Sequence, residues 1–386
     1  MAAPVADSYR AASGQRVRAG ITTSLPAWRT QMAARTWAEI ALGPRLTDVD
    51  PTYDDQVNPL TPPDSPWRIT TPQIAVVQSW NGAQWDEANK QLMVWGGGHA
   101  NWAGNELYRW RAVHGYFERV TNPTGSIGNT GVLNDGNESS AVYFDGQPRA
   151  FHTYNNLAVR NGEIWAFGGS VSWTGFAASR PFRFDAALNR WVREIDVSIG
   201  TTFGGVCYDS NRDVFWIVLK NNSRPNIYDP VAKTVTTHPR YVPNGKYKKP
   251  IYDPVRDCVI VFADQSIFVL DPDDGADAAP APMTGPLPTI GDWGIMGVQY
   301  DDARDRYLAW DGNNHIFVLT PPAQGLDPKS NTWTWSILNP AAENTVNAPP
   351  RQTNGTYGRF WYSRSLNCVG ICSSTLNHMF VFALED

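Results

Sequence analysis

The chain predicts an all-β fold: a β-propeller ring of six four-stranded blades, with seven as the alternative count. Three observations predict it. A unit made of an aromatic-Asp pair, a short polar turn and two apolar strands recurs along the chain. The 32 Gly and 29 Pro favour many short strands with tight turns over long helices. The 17 Trp, 15 Tyr and 15 Phe can fill a core between stacked sheets. At 386 residues the chain is long for one ordinary domain, but closed all-β architectures reach this length as single units.

The repeat is clearest at Cys207-Tyr208-Asp209 before Val214 to Leu219, and at Ile251-Tyr252-Asp253 before Cys258 to Phe262. It returns at Gln299-Tyr300-Asp301 before Arg306 to Trp310 and at Gln84-Trp85-Asp86 before Gln91 to Trp95. Each Asp suits the start of a tight turn, and the Asn, Arg or Lys that follows is expected to be solvated. Third strands are expected at Glu106 to Trp110, Pro181 to Phe184, Pro225 to Tyr228, Ser266 to Leu270, His315 to Leu319 and His378 to Phe382. The blades then run from Ile74 to Val120, His152 to Ile195, Thr201 to Pro239, Lys246 to Gly285, Trp293 to Leu338 and Gly355 to Phe382. The last has three strands only. Thr36-Trp37-Ala38-Glu39-Ile40 reads like the outer strands Arg190 to Glu194 and Thr332 to Ser336, so the N-terminal segment is expected to complete the last blade and close the ring. This divides the chain into an arm, 1–35, and a propeller, 36–386. A seventh blade could come only from Thr121 to Ala150, which lacks a matched strand pair.

Gly96-Gly97-Gly98 and Phe167-Gly168-Gly169, each after an apolar strand, resemble the double glycine of kelch repeats. Trp37, Trp191 and Trp333 resemble the outer-strand aromatic of the same repeat. The chain thus resembles the kelch and galactose-oxidase central-domain superfamily over roughly 36–386, which implies the same propeller fold. In the later blades Leu219-Lys220, Ala263-Asp264 and Asp311-Gly312 replace the glycine pair. Val5 to Trp37, Gly96 to Asn105 and Phe151 to Leu157 are similar to uncharacterised kelch proteins of bacteria and tailed phages, which implies a virion setting.

Composition narrows the function. The formal net charge is −5 and the densest basic run, Lys246 to Lys249, is interrupted by Tyr247, which argues against general nucleic-acid binding. Met1 to Ser24 is polar and lacks the apolar stretch of a secretory signal, so synthesis in the cytoplasm is expected. No window reaches the roughly 20 apolar residues that cross a bilayer. Cys207, Cys258, Cys368 and Cys372 lie in apolar runs without metal-ligand spacing and are expected as buried thiols.

Loops between second and third strands share one face with the blade-to-blade connections, and ligands are expected there. They include His99-Ala100-Asn101-Trp102-Ala103-Gly104, Ser170 to Ser179 with Trp173, and Gly312-Asn313-Asn314. Amides and hydroxyls match sugar hydroxyls, and an indole packs the C–H side of a pyranose. Asn101, Trp102, Trp173, Lys249, Asn313, Tyr357 and Arg359 are therefore candidate contacts to a glycan or host-surface polysaccharide; the alternative is that Trp102 packs on its neighbour in an ordinary polar loop.

His99, His152 and Tyr154 could act catalytically only in a lyase. There a cation neutralises a uronic carboxylate while His or Tyr moves the proton. His152 and Tyr154, two apart on an expected inner strand, would point the same way; the alternative is a structural histidine bonded to backbone. No inner-strand set supplies the two His and two Tyr of a galactose-oxidase copper site, and Asp271 to Asp277 lacks the glutamate of a calcium loop, so no cofactor or metal is expected. Three functions stand: a non-catalytic recognition propeller, with the arm contacting other virion proteins; a glycan lyase; and an intracellular protein-interaction propeller.

Overall fold

In a computed structural model, the described residues are 25–50, 76–97, 104–123, 142–143, 146–171, 177–178, 180–195, 199, 204–221, 223–243, 245–273 and 276–385. They form six blades. From the axis outward, blade one is Ala83–Asp86, Gln91–Trp95, Leu107–Arg111 and Tyr116–Arg119; blade two is Leu157–Arg160, Glu163–Ala166, Phe182–Asp185 and Arg190–Arg193. Blade three is Gly205–Asp209, Val214–Val218, Asn226–Asp229 and Thr234–Thr237; blade four is Lys249–Asp253, Cys258–Ala263, Ser266–Leu270 and Ala279–Pro280. Blade five is Gly297–Asp301, Arg306–Trp310, Ile316–Thr320 and Trp333–Leu338, with Met283–Thr284 as a fifth, parallel edge strand. Blade six is Phe360–Ser363, Cys368–Ile371 and Met379–Ala383, completed by Trp37–Ile40. Each inner strand packs on the next, and Phe360–Ser363 returns to Ala83–Asp86, so the ring closes at six.

Closure follows the expected register. Trp37 lies opposite Phe382 and Ile40 opposite Met379 in an antiparallel pair. Trp37 is 3% and Ile40 4% exposed, so this short strand carries two large apolar groups out of water. Leu25 to Arg35, placed in the arm by the sequence, also rests on the blades. Trp28 donates its indole N–H to the Ala112 carbonyl at 2.7 Å, and Arg29 reaches the Leu366 and Asn367 carbonyls.

The core sits between blades. At the seam of blades six and one, Trp85 and Trp361 stack at 4.1 Å with planes 8° apart, surrounded by Trp110, Leu92 and Val381. Between blades four and five, Phe262, Trp293, Tyr307 and Trp333 fill the same role. Large aromatics suit these wedge-shaped gaps because each covers much area on both neighbours. All four cysteines are free, buried thiols.

Three expectations need correction. His152 does not open the inner strand of blade two. Phe151–His152 pairs instead with Gly169–Val171, itself paired with Ala177–Ala178, in a separate three-stranded sheet. Gly169 permits this approach: a Cβ there would lie 1.8 Å from the His152 carbonyl oxygen. Met283–Thr284 belongs to the rim of blade five rather than to blade four.

Thirdly, the arginines of the inner turns are not merely solvated. The turn in each blade ends on a left-handed residue: Lys90, Asn161, Asp213, Asp257, Asp305 and Asn367 have φ of 47° to 56°, a region that Asn and Asp enter most readily. In three blades the unit reads Tyr-Asp-x-x-Arg-Asp. Its first Asp caps the turn, as Asp253 does for the N–H groups of Val255 and Arg256 at 3.0 Å. Its Tyr donates to its last Asp, Tyr208 to Asp213 at 2.6 Å and Tyr300 to Asp305 at 2.7 Å. Its Arg crosses to the following blade. Arg212 bonds both oxygens of Asp257, Arg256 both oxygens of Asp305, and Arg304 the Asn367 amide oxygen, while Arg160 of blade two bonds both oxygens of Asp213.

Arg256 is the most buried of these clamps, its side chain 3% exposed between Asp253 and Asp305. Removing one partner of a buried pair leaves the other uncompensated. Arg256→Ala is expected to lower unfolding free energy by about 3 kcal/mol, and the more exposed Arg212→Ala by about 1 kcal/mol, in urea titrations. Equal losses would contradict the burial argument. The Arg neighbours, aided by the Tyr hydroxyls, hold Asp213, Asp257 and Asp305 below the ordinary carboxylate range. Their stabilisation is present above that range and is lost as pH falls through their folded values.

A chain beginning after Leu42 would lose the burial of Trp37 and Ile40, worth about 1.5–3 kcal/mol each, and expose Met379–Ala383 as an edge. It is expected to lose cooperative unfolding and to self-associate in sedimentation. A sharp, monomeric transition would show that closure is dispensable.

Candidate functional site

The loop face carries those groups singled out from the sequence that lie within the described residues. Chain segments entering the inner strands converge there on the axis. Three of them share a device: the residue three before the inner strand is a large aromatic in the left-handed region. These are Trp80 (φ 56°), Tyr154 (φ 47°) and Tyr357 (φ 50°), in the approaches to blades one, two and six. For bulky side chains this backbone is strained, at roughly 1–3 kcal/mol each, and the surrounding bonds enforce it.

Those bonds encircle the channel mouth. Arg359 of blade six donates Nε–H to the Asn81 carbonyl at 2.9 Å, and Tyr154 N–H reaches the Trp80 carbonyl at 2.9 Å. Val206 N–H of blade three donates to the Asn155 carbonyl at 2.9 Å, and Thr356 N–H to the Ile295 carbonyl at 2.8 Å. Asn155 spans the axis: its amide nitrogen donates to the Lys248 carbonyl of blade four at 3.0 Å and to the Gly294 carbonyl before blade five at 2.7 Å. Blades two and five are opposite in a six-fold ring, so this one side chain bars the channel.

Tyr154, Tyr247 and Tyr357 lie together there, their centroids 5.9 to 6.3 Å apart. Tyr154 and Tyr357 are buried, whereas Tyr247 and Trp80 are half-buried. Trp80 packs on His152 at 5.1 Å. The channel end is thereby an aromatic floor.

The candidate residues fall into three groups. His99, Asn101, Trp102 and Trp173 lie outside the described residues. His152, Tyr154, Tyr357 and Arg359 come together at the axis, and Lys249 opens the inner strand of blade four, near Cys207 of blade three. His152 and Tyr154 meet through a turn rather than along a strand, Tyr154 OH lying 3.5 Å from His152 Nδ1, and both are at most 3% exposed. Asn313 stands apart on the loop of blade five, exposed, its amide nitrogen held by both oxygens of Asp311 at 2.9 and 3.0 Å.

The cations at the axis differ in what they hold. Arg359 is 1% exposed and donates to the carbonyls of Asn81, Cys372 and Gly355; burial pushes it down to about 10. Lys248 donates to the Asn221 carbonyl at 2.6 Å and the Val242 carbonyl at 3.4 Å, and burial lowers it to about 8. Lys249, 6% exposed and also lowered to about 8 by burial, has no hydrogen bond or ion pair among the described residues. Tyr357 OH and the Asn155 amide oxygen are buried without a partner. Among the described residues no three His, Cys, Asp or Glu side chains converge as metal ligands, and no helix is long and apolar enough to cross a membrane.

Sequence reasoning missed Asn155, Trp80 and Tyr247. A signal existed for Trp80, since Trp80-Asn81-Gly82, Tyr154-Asn155-Asn156 and Tyr357-Gly358-Arg359 hold the same place before three inner strands. Nothing local marks Asn155, whose partners lie 93 and 139 residues away. Asn155→Ala leaves two carbonyls unpaired and is expected to lose about 1–3 kcal/mol. Amide exchange should quicken at 245–249 and 293–297 with the turn face unchanged; uniform exchange across both faces would refute a local crossbar.

No family model matches the chain, and no curated protein matches it. Among solved structures, an auxiliary nutrient binding protein from Bacteroides ovatus is 12% identical, with 81% of this chain and 70% of that one covered and a TM-score of 0.47. A second auxiliary nutrient binding protein, from Bacteroides thetaiotaomicron, is 11% identical over 74% and 78% of the two chains, with a TM-score of 0.38. A chain of the mitotic checkpoint complex is 11% identical over 82% and 94%, with a TM-score of 0.44. All three likenesses are distant.

Proposed function

We propose that this protein is a non-catalytic recognition propeller that contacts glycans through its loop face, as a module of a phage virion or a cell surface. The observation that carries the reading is the barred channel. Asn155 and the three tyrosines close the axis, and Arg359 and Lys248 are occupied by backbone carbonyls. An eliminase needs its proton-transfer groups free to meet substrate, whereas here His152 and Tyr154 are packed against Trp80 and Tyr357. What the floor offers outward is the half-buried faces of Trp80 and Tyr247, with amides around them, which suits sugar binding.

The virion or cell-surface setting rests on the arm. Trp28 and Arg29 fix its base to the seam of blades six and one, so the preceding residues would join the propeller to a larger assembly. A glycan array tests the reading. Wild type should bind a restricted set of glycans, and Trp80→Ala or Tyr247→Ala should weaken that binding about 10-fold, within the range of one lost stacking contact, with unchanged melting. No bound glycan would sink it. Rising absorbance from unsaturated uronic products would replace it with the lyase alternative.

A further inference from the structure

We infer that the glycans preferred by the loop face are acidic, their carboxylate or sulfate group being received by Lys249; this rests on the glycan reading above. Three cations, Lys248, Lys249 and Arg359, are buried on segments at the axial end of this face, and none makes an ion pair among the described residues. Two of them are consumed by backbone carbonyls. Lys249 is not. It opens the inner strand of blade four, directly after Tyr247 and Lys248, where the segments from the other blades converge. A lysine almost wholly withdrawn from water without a partner, as Lys249 is at 6% exposure, is destabilising, and such groups are ordinarily paired.

Among the described residues, no group supplies a counter-charge to Lys249. Facing it from blade three is Cys207, whose thiol is pushed up by burial and stays neutral. The Tyr357 phenol is likewise raised by burial. Asp264 bears on Lys248 rather than on Lys249. Asp292, before the turn Trp293–Ile295, is itself raised by burial and holds the Gly294 N–H at 2.8 Å. His152 packs against Tyr154 and Trp80. Among the described residues, Tyr357 OH and the Asn155 amide oxygen of the loop face are also without partners. An anion for the lysine is the chemistry of a uronic or sulfated sugar.

The sign of the pH effect follows from burial. Lys249 is lowered to about 8, so its charge is present at pH 7 and lost by pH 9.5. Binding would be measured on an array of uronic, sulfated and neutral oligosaccharides at both pH values, for wild type, Lys249→Met and Lys249→Arg. Acidic glycans should bind wild type at pH 7 and weaken 10-fold or more at pH 9.5. Lys249→Met should weaken them as much at pH 7, within the range for one charge-assisted bond, and should be insensitive to pH. Lys249→Arg should keep the preference, and neutral glycans should not respond. The uronic and sulfated arms separate the two sources of the anion. Equal binding of neutral and acidic glycans, or a Lys249→Met variant that keeps the preference, would overturn the inference while the glycan reading stands. No binding to any glycan would overturn both. If Lys249→Met does not fold, the wild-type pH profile and the Arg variant still decide.

Discussion

The whole structure depends on one antiparallel pair, Trp37–Ile40 against Met379–Ala383. A propeller blade has no core of its own. Its apolar side chains face the neighbouring blades, so each seam is completed only when the ring is complete. Without the N-terminal strand, blade six would present an open edge and the Trp37 cluster would face water. Because the two ends meet there, this pair and the bonds of Arg29, Arg35 and Thr47 beside it carry the longest sequence separations, while most other contacts join blades adjacent in sequence.

The two faces of the ring are built on different physics. On the turn face, Arg and Asp side chains link the turns of neighbouring blades: Arg160, Arg212 and Arg256 reach forward to the next blade, while Arg364 of blade six reaches back to Asp302 of blade five. The links are charge-assisted, partly exposed and repeated. On the loop face the links use backbone carbonyls and side-chain amides, and they do not repeat. Strained aromatics and an unpaired lysine occur on this face. Strain and unmet polar groups are tolerated where the ring over-determines the backbone, and such places are where ligands are met.

On the proposed reading, the barred channel is what sets recognition apart from chemistry. Had the axis been open, the basic and phenolic groups could have lined a cleft around a substrate. Asn155 reaches across it instead, and Arg359 holds loops together. The outward-facing part of the site is left to the half-buried aromatics Trp80 and Tyr247.

The sequence by itself determined the class of fold and the ring closure, and favoured six blades while leaving seven open; the closed ring of inner strands settled six. Fold class and closure are written locally, in an aromatic-Asp turn that recurs and in strand-length apolar runs whose side chains alternate faces. The inter-blade clamps were half legible, because Tyr-Asp-x-x-Arg-Asp is visible at 208–213, 252–257 and 300–305, but a turn pattern does not reveal that its Arg leaves its own blade. Only the tertiary structure decided the site. Whether Lys249 or Arg359 is free depends on which carbonyls stand beside it, and Asn155 finds its partners two and three blades further along the chain. A local pattern fixes where a strand starts and turns, while the partners of a buried polar group are set by the packing of the closed ring.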